Sequence, residues 1–331
     1  MTITAVVVQA RMASSRLPGK VLMDLGGRTV LSHVIERCLA ISNSSVVCCA
    51  VSDRADCEPV AEEAERCGAI VFRGSDHDVL ERYYMAAVEL KADAILRVTS
   101  DCPLIDPVLV DAVIDKFLET QADYASNIDP PTWPDGLDVE VFSFDALGAS
   151  WREATDPFCR EHVTPFMRST STIKKVNLVN EQDLSDNRWT VDQSQDLLVI
   201  QNIIEYFEPD IYFGWNDVLK LVSERPEYCF PNREISRNEG ARRTSGQKLW
   251  ARAKAVIPGG NMLLSKRPEM FLPDRWPTYF SKAKGCEVWD LDGTHLIDFS
   301  MMGVGTNILG YGHPEVDQAV KQAIGRGNMS T

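Results

Sequence analysis

An open, mostly parallel α/β sheet with helices on both faces is the fold class the sequence predicts, and three observations carry it. Short β-branched or apolar runs (the one holding Ile3, Val6, Val7 and Val8, then 45–51, 69–72 and 94–99) suit buried strands. The stretches between them repeat apolar residues at helical spacing. Strand and helix alternate, as crossover connections in a parallel sheet require.

The first strand opens at Gln9 and Ala10 into small and polar residues carrying Arg11, Ser14, Ser15, Arg16 and Lys20. Such a loop brings backbone N–H groups close to a phosphate chain, which the three cations can neutralise. Pro18-Gly19 turns the chain to deliver Lys20. A solvated basic loop after an edge strand would carry the same residues. The loop contains neither G-x-x-x-x-G-K-[ST] nor G-x-G-x-x-G.

Residues 29–40 place Val30, Leu31, Val34, Ile35, Cys38 and Leu39 on one helical face. A second helix is expected over 56–67, with Pro59 in its first turn. The strand at 69–72 ends at Arg73, Gly74 and Ser75, and Ser75 or Asp76 is expected to cap a helix reaching Lys91. In such sheets ligands bind beyond the carboxyl ends of the strands. The backbone of Gln9 and Ala10, with Arg73, Gly74 and Ser75, is therefore the expected seat of a base and ribose.

Just past the strand 94–99 lies Asp101, the carboxylate best placed for a hard cation. Mg²⁺ takes one or two carboxylates together with phosphate oxygens and water. Asp106 before Pro107 reads as a helix cap. The proline-rich loop after Asn127 returns as a strand over 139–144, with Asp138 and Glu140 on one face. These two either bond sugar hydroxyls or are polar positions on a half-exposed strand. His162, in a helix or helix pair over 156–168, is either a general base or a structural histidine. A strand over 173–179 follows, and residues 188–191 lead into Asp192 before a helix over 195–207. By position Asp192 reads as a helix N-cap.

The polar stretch 231–246 reads as a linker between residues 1–230 and 247–331. Beyond it, a helix over 247–256 stops at Pro258, Gly259 and Gly260, and Asp292-Gly293 marks a hairpin between 287–291 and 294–299.

The net charge of −14 over 331 residues argues against a nucleic-acid or anionic-membrane partner. Nine cysteines without C-x-x-C read as reduced core residues. No stretch reads as a signal peptide or membrane span, so a cytoplasmic protein is expected.

A10-R-M-A-S-S-R-L-P-G-K20, L25-G-G27 and H33-V-I-E-R37 together resemble the opening of cytidylyltransferases that activate acidic sugars. These are the 3-deoxy-manno-octulosonate and acylneuraminate types, and most of all the spore-coat polysaccharide type. The resemblance implies a Rossmann-like sheet of the nucleotide-diphospho-sugar transferase kind, with CTP and a sugar as substrates. It also implies Mg²⁺ as cofactor, with Asp101 and Asp192 as its carboxylates, and an acceptor region near Asp138, Glu140 and His162. Arg11, Arg16 and Lys20 would then neutralise the leaving pyrophosphate. Replacing Lys20 is expected to stop turnover at little cost in stability. Ser100 replaces the glycine usual in the spore-coat relatives, and Asp-Cys-Pro departs from the Asp-Glu-Pro of the octulosonate enzymes. A sugar-1-phosphate nucleotidylyltransferase using another nucleotide, or a nucleotide-sugar binding protein without turnover, is the alternative. A homodimer is left open.

The tail resembles something else. L249-W-A-R-A-K-A-V-I-P-G-G260, K284-G-C-E-V-W-D-L-D-G293 and L309-G-Y-G-H-P-E-V316 are similar to the amino-terminal part of class-III aminotransferases, the glutamate-1-semialdehyde aminomutase type in particular. In that family the Schiff-base lysine lies far downstream. The tail is therefore expected to be a truncated or cut-short α+β segment that binds no pyridoxal phosphate alone. It should expose apolar surface and be partly disordered or docked on a neighbour.

Overall fold

The computed structural model describes residues 3–14, 16–233, 235, 245–261, 267–271, 276–299 and 307–327. The chain divides into two compact units, Met1–Arg237 and Asn238–Thr331.

In the first unit, β1 (Thr4–Ala10) is followed by a two-stranded ribbon of β2 (Asp24–Leu25) and β3 (Arg28–Thr29), then α1 (Val30–Leu39). Next come β4 (Val46–Ser52), α2 (Glu58–Arg66), β5 (Ile70–Gly74), α3 (Val79–Leu90), β6 (Ala94–Thr99) and α4 (Pro107–Thr120). The second half holds β7 (Tyr124–Ser126), β8 (Glu140–Ser143), α5 (Phe144–Glu153), α6 (Pro157–His162), α7 (Pro165–Ser169), β9 (Lys175–Asn177), α8 (Ser194–Phe207) and α9 (Trp215–Glu224). The sheet runs β5-β4-β1-β6-β8-β7-β9. The strands β5, β4, β1 and β6 are parallel, and β8 runs against β6 and β7.

Alternation along β1 explains the three layers. Val6, Val8 and Ala10 join one core cluster with residues of α1, α2 and α4, while Ala5 and Val7 join another with α3, α5 and α7. A third cluster gathers Leu25, Leu104, Trp189, Val191 and the inner faces of α8 and α9. Because β1 lies between β4 and β6, the chain leaves it in one direction and returns on the other side. The crevice at this reversal receives the loops after β1 and β6.

Local chemistry sets the helix ends. Asp106 caps α4, its Oδ1 accepting from the amides of Val108 and Leu109 while Oδ2 accepts from Trp215. The cap of α3 is Asp78, accepting from the Glu81 amide, and not Ser75 or Asp76; Ser75 Oγ instead accepts from the Asp78 amide one turn earlier. No strand forms over 188–191. That segment is extended, with an isolated bridge between Asp135 and Arg188. Helix α9 lies outside the elements expected from sequence. Pro231 and Asn232, read as the start of a linker, end a 3-10 turn (Pro226–Asn232), and Asn232 is buried. The remainder of that linker up to residue 244 lies outside the described residues, apart from 233 and 235.

The second unit contains α10 (Ser245–Val256), an antiparallel sheet of β10 (Phe280–Lys284), β11 (Glu287–Asp290) and β12 (His295–Ile297), and α11 (Pro314–Gly325). The β11–β12 hairpin falls at Asp292-Gly293 as expected, with Asp290 Oδ1 accepting from the amides of Asp292 and Thr294. The third strand, β10, was not expected. On α11, Val316, Val320 and Ile324 are exposed. All nine cysteines are free thiols, five of them buried, and burial pushes Cys38 and Cys48 up to about 12. Among the described residues no helix is long and apolar enough to cross a membrane.

Candidate active site

The loop after β1 is folded on itself. The Gly19 amide donates to Met12 O at 3.1 Å, and Ser14 Oγ accepts from the Leu17 amide. Gly19 adopts φ +71°, a left-handed conformation that glycine takes at no steric cost. Its turn launches the 3-10 segment Lys20–Leu22, which points Lys20 into the crevice. There Lys20 Nζ donates to Asp101 Oδ2 at 2.7 Å and to Asp192 Oδ1 at 2.8 Å, and Arg16 Nη2 reaches the same Asp192 oxygen at 2.8 Å.

Backbone bonds bring the two aspartates together. The Val191 amide donates to Asp101 O at 2.8 Å, and Thr190 Oγ1 donates to the same oxygen at 3.1 Å. On its other side the extended segment lies against the proline-rich loop, where the Trp189 amide meets Asp135 O at 2.6 Å. Gly136 allows that approach: a Cβ there would sit 2.5 Å from the Trp189 carbonyl carbon. Trp189 and Val191 enter the core, so alternation turns Arg188, Thr190 and Asp192 the other way.

Asp192 is thus neither at a strand end nor a helix cap. The capping box of α8 belongs to Gln193 and Asp196. Behind Asp192 lies a buried network that sequence reading missed. Arg188 pairs with Asp196 through Nε at 2.9 Å and Nη2 at 3.0 Å, and with Asp135 through Nη1 at 2.7 Å.

Electrostatics follow from this arrangement. Burial pulls the Lys20 pKa down, but the charges of Asp101 and Asp192 outweigh it, and the net shift is upward. Burial favours protonation of Asp101, yet the Lys20 ammonium beside it holds its carboxyl well below the usual range. Lys20 shows that a cation fits between two carboxylates whose oxygens face one another. Among the described residues no group of three or more His, Cys, Asp or Glu side chains could hold a metal. A two-carboxylate donor set of oxygens alone suits Mg²⁺, which draws its other ligands from phosphates and water.

The other expected site residues are more scattered. Arg11 is exposed, its Nη2 3.8 Å from Glu161. Gln9 and Ala10 end β1 beside the crevice, and Ser15 lies outside the described residues. Arg73 is paired with Glu58 at 2.8 Å, Gly74 closes β5, and Ser75 O accepts from Arg82. Asp138 is half-buried. Burial, with the charges of Asp101, Asp138 and Asp135, pushes the Cys102 thiol well above its ordinary range. His162 packs its ring on Phe158, centroids 4.5 Å apart.

Glu140 is committed to the interior. Oε2 accepts from Arg97 at 2.5 Å and Oε1 from Tyr124 OH at 2.6 Å, which leaves it a sheet residue and not a sugar contact. Removing it strands a buried guanidinium. Glu140→Ala is expected to lower stability by about 3–5 kcal/mol, read from denaturant unfolding. A change in substrate KM with unaltered unfolding would return Glu140 to the acceptor site.

Comparison with known proteins places the first unit in a family. Residues 5–206 match the Cytidylyltransferase family. The spore coat polysaccharide biosynthesis protein SpsF of Bacillus subtilis is 27% identical over 231 residues, covering 67% of this chain and 94% of that protein. The 3-deoxy-manno-octulosonate cytidylyltransferase of Pectobacterium carotovorum is 34% identical over 187 residues, covering 52% and 70%. The solved structure of a cytidylyltransferase from Leptospira borgpetersenii superposes with a TM-score of 0.67 at 31% identity, covering 69% of this chain and 97% of that one. With the match spanning β1 to α8 and holding every residue of the Lys20–Asp101–Asp192 cluster, the chain belongs to the cytidylyltransferase family.

Proposed function

We propose that this protein transfers a cytidylyl group from CTP to a sugar hydroxyl and releases pyrophosphate, in the synthesis of a surface polysaccharide or glycan. The observation that carries this reading is the convergence of Lys20 and Arg16 on Asp101 and Asp192 at the crevice of the sheet. The acceptor oxygen bonds to the α-phosphorus, the bond from that phosphorus to the pyrophosphate oxygen breaks, and the hydroxyl proton passes to solvent. Asp101 and Asp192 would hold Mg²⁺, which when bound neutralises charge on the phosphate oxygens. An entering triphosphate offers Lys20 and Arg16 new anionic partners. Their charges, already placed, then stabilise the departing pyrophosphate without reorganisation. Arg11 stands at the exposed edge of the same loop, its Nη2 3.8 Å from Glu161, and can meet the outer phosphates. Asp138 offers hydrogen bonds to the acceptor, and the ends of β1 and β5 frame the base and ribose. For residues 247–331 the proposal is narrower: a segment like the opening of a class-III aminotransferase.

The test is pyrophosphate release from each of the four NTPs, offered with acidic sugars, neutral sugars and sugar 1-phosphates, with and without Mg²⁺. Release is expected with CTP and a free sugar, and only with Mg²⁺ present. Turnover of a sugar 1-phosphate with UTP or GTP would replace this reading by the corresponding nucleotidylyltransferase.

A further inference from the structure

We propose that Arg188 is a positioning residue for the metal pair: it holds one oxygen of Asp192 so that the other stays turned toward Lys20 and the phosphate site. The inference rests on Asp101 and Asp192 being the metal carboxylates and goes beyond it by assigning the device that aims one of them.

The two oxygens of Asp192 are sorted. Oδ1 meets Lys20 and Arg16, both at 2.8 Å, while Oδ2 accepts from Arg188 Nη2 at 3.3 Å. A carboxylate alone turns easily about its last torsion, so it needs something rigid behind it to present a single oxygen. Arg188 supplies that rigidity. Its planar fork is anchored bidentate on Asp196 and braced from the far side by Asp135. Asp196 is fully buried, and its Oδ2 also accepts from the amides of Asp192 and Gln193, at 3.0 and 2.9 Å. One carboxylate thereby fixes both the backbone of Asp192 and the guanidinium that holds its side chain.

A further brace comes from Asn232, whose Nδ2 donates to Arg188 O and to Asp196 Oδ1, each at 3.0 Å. The bidentate pair with Asp196 would satisfy the fold alone. The additional contact to Asp192 serves the site, since it holds that side chain in one orientation. Outer partners of metal ligands behave in this way, and their loss typically weakens metal binding by about 10–100-fold.

Mn²⁺ binding to the full chain, followed by electron paramagnetic resonance with CTP present and no acceptor, is the test. Arg188→Met is expected to weaken Mn²⁺ about 10–100-fold, and Arg188→Lys to recover part of the loss. CTP affinity measured without a divalent cation should be the same as wild type in both. Asn232→Ala, which removes the brace on Arg188 and Asp196, is expected to weaken Mn²⁺ by less than Arg188→Met does. A folded Arg188→Met protein with wild-type Mn²⁺ affinity overturns the inference. If that variant does not fold, Asn232→Ala decides: weaker Mn²⁺ supports the inference and unchanged Mn²⁺ overturns it. A wild-type protein that binds no Mn²⁺ beside CTP removes the metal pair and this inference together. A wild-type protein that binds Mn²⁺ and loses it in the variants, yet releases no pyrophosphate, upholds the positioning role and removes only the proposed reaction.

Discussion

Lys20→Met is expected to reduce pyrophosphate release from CTP by at least about 10³-fold, in the range found for single cations that meet transition-state charge in phosphoryl transfer. Methionine keeps much of the apolar stem and removes the three N–H donors, so the effect isolates the charge. The structure also revises what the substitution does to the fold. With the ammonium gone, the facing oxygens of Asp101 and Asp192 lose the cation between them. Their side chains are 23% and 15% exposed, so the destabilisation falls below that of a fully buried broken pair, on the order of 2 kcal/mol. The expectation from sequence, of nearly unchanged stability, is withdrawn for this reason. Mg²⁺ should raise the melting temperature of the variant more than that of the wild type, because the ion takes over the screening of two carboxylates. Calorimetry with and without Mg²⁺, beside a pyrophosphate assay, checks both halves. Full turnover in the variant would remove Lys20 from the chemistry.

Asp101→Asn carries the second large effect. The side chain keeps its shape and one oxygen but loses the charge that a divalent ion needs. The carbonyl of residue 101, which receives Val191 and Thr190, is untouched, so the crevice should keep its form. Loss of about 4 kcal/mol of charge stabilisation corresponds to a fall of about 10³-fold in rate. Activity is expected to stop responding to Mg²⁺ across the millimolar range, while the melting temperature falls no further than in Lys20→Met, because Lys20 keeps Asp192 as a partner. A normal Mg²⁺ response with a large fall in melting temperature would make Asp101 structural.

The parts of the fold visible in the sequence are those whose neighbours are close along the chain. Strands β1, β4, β5 and β6 and helices α1, α2 and α3 were expected from the sequence, and the Asp106 cap follows from its proline, whereas the β2–β3 ribbon was not expected. The weaker half is the one built from distant pairings. Glu140 was placed on an outer face because alternation fixes a side of the strand but not which side is covered. Arg97 and Tyr124, which cover it, come from other strands. Lys20 and Asp101 were singled out because each follows a recognisable strand, and Asp192 because it matches a carboxylate position of the family the sequence resembles. Arg188 was not. Its signal was present in the alternation of Trp189 and Val191 with Arg188, Thr190 and Asp192, but nothing local says that Asp135, Asp196 and Asn232 will surround it. The α3 cap moved from Ser75 or Asp76 to Asp78 because the chain continues through bends before the helix begins.

The hydrogen bond from the Val191 amide to the Asp101 carbonyl has a consequence for when activity can arise during synthesis. A ribosome that has released β1 through α4 has delivered Arg16, Lys20 and Asp101, but not the Asp192 that meets both cations. Asp192 emerges much later, and the side-chain amide of Asn232 that steadies its surroundings emerges later still. The cluster therefore closes only after residue 192 has been made, long after the loop that carries Lys20.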